Sequence, residues 1–121
     1  MATRKRFLRL QSLVSFLQSE KNGDEVFLKF NGKKIAPKKE KYYEMTNDPL
    51  PLNIEMEVPA TGKWVELELW EYDPFLPSTR LGHFKLFVDD QHSDTFTAEL
   101  SREKDSTAKY VLNWELVSKL V

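Results

Sequence analysis

Five lysines, Lys33, Lys34, Lys38, Lys39 and Lys41, fall within nine residues of one another, a density of positive charge suited to an anionic surface. Further along, Phe75 and Leu76 stand between Pro74 and Pro77, with Arg80 close behind. An apolar pair at a loop tip can insert into a bilayer for a few kcal/mol, and each lysine beside anionic lipid adds about 1 kcal/mol. The same residues have a plainer reading. Lysines at a strand edge block edge-to-edge pairing, and a loop Phe-Leu pair can fold back over the core. A second group is aromatic: the alternation around Phe27 and Trp64 turns both side chains outward, with Tyr42, Tyr43 and Trp70 nearby in sequence. Aromatics flanked by charge suit a protein interface, whether to a protein partner, to other components of an assembly, or to copies of the same chain.

Catalytic chemistry finds little support. The chain has no cysteine and two histidines, which excludes disulfides, thiol nucleophiles and thiolate metal sites. His83 falls mid-strand beside Lys85, and His92 lies in a turn with Asp89, Asp90 and Asp94. That turn could hold a metal, but a solvated polar turn is the commoner outcome. No Gly-x-Ser-x-Gly elbow, His-Glu-x-x-His pair or phosphate-cradling glycine loop occurs. The paired acids Glu66 and Glu68 share one outward strand face, with no sign of a cleft to raise a pKa. Nucleic-acid binding is disfavoured too, since the net charge is −1 and no recognition motif accompanies the lysines. The expectation is a non-enzyme without cofactor.

The charge is strongly segregated. Residues 1–41 carry eleven Lys/Arg against four Asp/Glu, and residues 42–77 carry one against eight. Either opposite charges meet across neighbouring strands, or the molecule has a basic patch and an acidic rim. The basic N-terminus leads into apolar residues, but Arg9, Gln11, Ser12 and Ser15 interrupt them and no small-residue cleavage site follows. With no spanning segment apparent, the expected location is cytoplasmic, peripheral to a membrane if the lysines bind lipid.

The elements that must position these groups are strands. Val26, Leu28 and Phe30 alternate with Phe27 and Lys29, and the Asn31-Gly32 turn pair follows. The same period of two runs through Leu52, Ile54, Met56 and Val58, then Val65, Leu67 and Leu69, then Phe84, Leu86 and Val88. It returns in Phe96, Ala98 and Leu100, and last in Tyr110, Leu112, Trp114 and Leu116. Turn clusters at residues 22–24, 46–49, 59–62 and 89–91 separate the runs. Residues 42–45 supply a possible short strand. Residues 6–18 fit a helix through Phe7, Leu10, Val14 and Leu17, or a bulged strand with Leu8, Leu10, Val14 and Phe16 inward; the strand is preferred. The prediction is one all-β domain over residues 1–121, an antiparallel β-sandwich of seven to eight strands.

The stretch KWVELELWEYDPFLPSTRLGHFKLF at residues 63–87 resembles the C2 domain family of calcium- and lipid-binding β-sandwiches. The likeness rests on Trp70, Glu71, Tyr72 and Asp73, a loop, and then Leu81-Gly82. Asp24 with the following strand is similar to the segment that closes the family's first top loop. Residues 49–58 look like its mid-domain strand, and YVLNWELV like its closing strand. The resemblance implies a calcium-type ligand set of Asp24, Glu71 and Asp73, with Ser19 or Glu20 at the start of the first loop. That set is depleted, because Thr79 stands where another Asp is expected and Glu71 replaces a shorter Asp. A hard cation needs six to eight oxygens, so the expectation is calcium-independent docking to a protein partner or an anionic phospholipid surface. The alternative is a structural subunit of a larger assembly or homo-oligomer. Read without the family, Trp70 caps one edge of the core, the prolines stiffen the loop, and Gly82 lets the chain re-enter the sheet where a side chain would clash.

Overall fold

The computed structural model describes residues 4–17, 24–58, 63–88 and 95–120. They form β1 (Arg4–Leu17), β2 (Glu25–Phe30), β3 (Lys33–Ala36), β4 (Tyr43–Glu44) and β5 (Leu50–Glu57). After these come β6 (Lys63–Glu71), β7 (Thr79–Val88), β8 (Thr95–Glu99), β9 (Ser101–Arg102) and β10 (Lys109–Leu120). One sheet has the order β5-β1-β10-β8, and the other β3-β2-β6-β7-β9 with β4 also paired to β2. The neighbours are antiparallel. The predicted sandwich is the observed one, with the two-residue strands β4 and β9 raising the count.

Period-two burial builds the core. Val65, Leu67 and Leu69 from β6 meet Phe84, Leu86 and Val88 from β7, and Tyr110, Leu112, Trp114 and Leu116 from β10. In β1, Leu8 and Leu10 face inward, but the register then slips between Leu10 and Ser12 against both neighbours. The extra residue turns Leu13 into the core. The inward positions expected at Val14 and Phe16 are therefore wrong: Val14 is half-buried and Phe16 exposed. Asn31 and Gly32 both have positive φ, 53° and 78°, the pair of values that a two-residue hairpin turn demands.

The outer face of the first sheet shows where much of the N-terminal positive charge goes. Arg9 meets Glu55 at 3.1 Å and Glu115 at 2.7 Å, Lys5 meets Glu57 at 3.5 Å, and Lys119 also reaches Glu55. These pairs follow from β1 lying between β5 and β10, and each exposed pair contributes at most about 1 kcal/mol. The lysines of residues 33–41 are not in this network, so pairing across neighbouring strands accounts for the charge of β1 and not for theirs.

The turns at residues 22–23, 59–62 and 89–91 lie outside the described residues. So do Ser19, Glu20, and His92 with Asp89, Asp90 and Asp94.

Candidate functional site

β2, β6 and β7 bring several of the chemistry-bearing residues to one end of the sandwich. Val26 pairs with Glu71, Glu71 with Thr79, and Val26 with Tyr43. Backbone bonds close this end: Tyr72 N–H donates to Glu25 O at 2.7 Å, and Met45 N–H to Asp24 O at 2.9 Å.

The loop after β6 is shaped by its own acid. Asp73 Oδ1 accepts hydrogen bonds from the backbone N–H of Phe75 at 2.8 Å and of Leu76 at 2.9 Å. An Asp that caps the residues after it fixes a tight turn, and the flanking prolines cannot pair with a strand. The result is a tip whose two apolar side chains point away from the protein, Phe75 93% exposed and Leu76 67%. They do not fold back over the core. The base of the loop is tied to the basic segment, since Tyr72 stacks on Tyr42 with ring centroids 5.1 Å apart. Tyr42 directly follows Lys41, and its hydroxyl is hydrogen-bonded to Glu25. That bond and the carboxylate's charge push the phenol above its usual range.

The lysines divide. Lys33 pairs with Phe30 beside the hairpin turn, at the far end of β2 from Glu25. Lys34 Nζ bonds the carbonyl of Glu40. Lys38, Lys39 and Lys41 are exposed on the segment that leads from β3 toward Tyr42. Arg80 is less available than the sequence suggested. Its guanidinium meets Glu68 at 2.5 Å and Glu103 at 2.6 Å, and those carboxylates raise its pKa. The Arg80 hydrogen bond in turn lowers the Glu68 pKa, the reverse of what a general acid needs.

The implied calcium ligands do share an end, but they are engaged within the protein. Asp24 is buried and accepts a hydrogen bond from the Tyr110 hydroxyl at 2.5 Å. Burial first, then the Asp24 hydrogen bond and charge, drive the Tyr110 pKa far above the usual phenol range, so the hydroxyl remains a donor. Glu71 is near enough for its charge to act on the same hydroxyl. Asp73 caps its loop, and Thr79 brings no charge. Among the described residues no three acids or histidines gather as a metal group would require. Asp24 and Asp73 thus already serve partners within the protein. Tyr110→Phe should cost roughly 1–3 kcal/mol by leaving a buried carboxylate short of one donor. Urea unfolding measures this, and a change below about 0.5 kcal/mol would mean the bond is not buried as described.

Two expectations for the aromatics are corrected. Phe27 does lie on the outward side of β2, but it is only 6% exposed and stacks on Trp70 with centroids 6.2 Å apart. Trp70 does not cap the core. It falls at the parity opposite to Leu67 and Leu69, lies under Lys29 Nζ at 4.0 Å, and donates Nε1–H to Glu68 at 3.3 Å. Cross-strand neighbours, which alternation alone does not supply, bury Phe27. Tyr42 and Tyr43 are half-buried. Trp64 remains 65% exposed, but at the other end of β6 from Glu71, so the four aromatics form no single surface. Sequence reading also passed over Tyr110, whose alternation marked it only as core. It missed residues 103–107, which with the loop after β6 line a cleft of about 510 Å³.

No family model matches the chain, and a search of curated proteins finds no match. Solved structures do. The C2A domain of plant Extended Synaptotagmin 1 superposes with a TM-score of 0.67 at 17% identity, covering 100% of this chain and 98% of that one. The fold is that of a C2 domain. The likeness of residues 63–87 to that family is thus carried by a shared architecture along the whole chain. In this C2-like domain the loop end bears the capped Phe75-Leu76 tip and the Tyr42–Tyr72 stack. Among the described residues no helix is long and apolar enough to cross a membrane.

Proposed function

We propose that this C2-like chain is a non-catalytic binding module that docks without calcium on an anionic phospholipid surface. Its docking face is the Phe75-Leu76 tip together with Lys38, Lys39 and Lys41. The reading is supported chiefly by one feature: two bare apolar side chains, held out by Asp73, on a loop stacked through Tyr72 and Tyr42 against the end of the basic segment. An apolar wedge next to positive charge fits the boundary between lipid headgroups and tails, where burial and attraction to anionic lipid add. Asp24, bonded by the buried Tyr110 hydroxyl, and Asp73, capping its own loop, already have partners within the protein, which supports docking without calcium. A cytoplasmic, membrane-peripheral location belongs to the same proposal, since the cytoplasmic leaflet carries the anionic lipid.

Co-sedimentation with phosphatidylcholine vesicles, with and without phosphatidylserine, tests the reading. Binding should require phosphatidylserine, survive a calcium chelator, and weaken as salt rises from about 50 to about 300 mM. Lys39→Ala and Lys41→Ala should each lower the partition coefficient about fivefold, the equivalent of about 1 kcal/mol per lysine. Calcium-dependent pelleting would return Asp24 and Glu71 to a metal role. Absence of pelleting under every condition would assign the exposed tip to a protein partner.

A further inference from the structure

We propose that the opposite end of the molecule is a self-association surface, and that two copies meet through the outer face of β6 and β7 with Trp64 of each against Phe87 of the other. Val65 and Leu67 on β6 and Leu86 and Val88 on β7 face the core, so Trp64 and Phe87 point away from it. They are 65% and 40% exposed, and their rings lie 5.0 Å apart, tilted by 56°. A tryptophan so open, beside a second aromatic, is the usual centre of an interface.

The strand register identifies the occupant. Trp64 pairs with Phe87, Glu66 with Lys85, and Glu68 with His83. Outward side chains on β6 therefore read aromatic, acid, acid, and those on β7 read aromatic, base, imidazole. Glu66 and Lys85 are both exposed.

A two-fold axis parallel to the strands and midway between them exchanges the two columns when copies stack face to face. Trp64 then faces the other copy's Phe87, and Glu66 faces its Lys85. An axis running across the strands would set Glu66 against Glu66 and Lys85 against Lys85. The register thus makes the face complementary to itself in one arrangement and repulsive in the other. That is the condition for an isologous dimer. Aligned stacking of two twisted sheets about 10 Å apart is an ordinary packing geometry.

The upper part of the same face is already covered, because Lys29 lies over Trp70 and Arg80 bridges Glu68 and Glu103. The contact is therefore small, and a Kd on the order of 100 µM is expected. Trp64 lies near the start of β6 and the Phe75 loop follows its end, so dimerisation leaves the proposed lipid-docking end free and does not depend on it.

Sedimentation equilibrium of the whole chain from about 10 µM to about 1 mM tests this, the range being set by the expected affinity. The wild type should fit a monomer–dimer equilibrium, and Trp64→Ala should raise the Kd at least about tenfold. Glu66→Lys alone and Lys85→Glu alone should each weaken the dimer about fivefold, and the double exchange should restore it to within about twofold of wild type. All the altered side chains are exposed, and circular dichroism melts verify that each variant folds. If Trp64→Ala does not fold, Phe87→Ser reads the same contact. The proposal is overturned by a wild type monomeric at the highest concentration, by a dimer that neither aromatic substitution weakens, or by a double exchange no tighter than the single ones.

Discussion

Gly82→Ala is expected to lower the melting temperature by roughly 10–15 °C, the consequence of about 3 kcal/mol of overpacking in a chain of this size. A Cβ at Gly82 would lie 2.3 Å from the carbonyl oxygen of Ser101 and 2.9 Å from Leu100 Cγ. Ser101 cannot retreat cheaply. Gly82 pairs with Arg102 across β7 and β9, and Glu103 N–H donates to Leu81 O at 2.9 Å. This is where the chain passes from β8 in one sheet to β9 in the other, so the clash falls on the crossing itself. A stiffer unfolded chain offsets less than about 1 kcal/mol of the loss. Thermal unfolding followed by circular dichroism reads the effect. A variant melting within about 2 °C of wild type would show that the crossing has room to move.

The second large effect concerns binding, with stability unchanged. Phe75→Ser combined with Leu76→Ser should lower partition onto phosphatidylserine vesicles on the order of a hundredfold, because roughly 3 kcal/mol of apolar burial is removed. Both side chains are exposed in the free protein, so the melting temperature should stay within about 2 °C of wild type. The two readouts together separate a docking residue from a structural one. Binding that falls less than threefold would mean the tip stays outside the bilayer, leaving attachment to the lysines alone.

The charged residues show how local pattern and assembled structure share the outcome. The basic N-terminal strand and the acidic β5 were visible as two composition blocks, and a meeting of opposite charges across neighbouring strands, which Arg9 and Glu55 make, was one of two open possibilities. Chain position alone could not say that the lysine cluster divides, with Lys33 at one end of β2 and Lys38, Lys39 and Lys41 nearer the other. Arg80 offers the same lesson. Beside Phe75 and Leu76 in sequence it looked free for an anionic partner, but the fold sets it between Glu68 and Glu103, the second of them contributed by a segment far along the chain.

By itself the sequence determined which side of most strands is apolar, because side chains alternate with a fixed period of two, and that was enough to specify two facing antiparallel sheets, the turn at Asn31-Gly32 and the re-entry into the sheet at Gly82. Only the tertiary structure decided which outward residues remain bare. Phe27 and Trp64 are both aromatic and both outward on their strands, yet one is closed over by Trp70 and the other is not. Likewise the buried Tyr110 hydroxyl takes up the Asp24 carboxylate, a pairing of residues 86 positions apart. Exposure and ligand availability depend on neighbours brought together across strands, and one-dimensional alternation holds no record of which neighbour arrives.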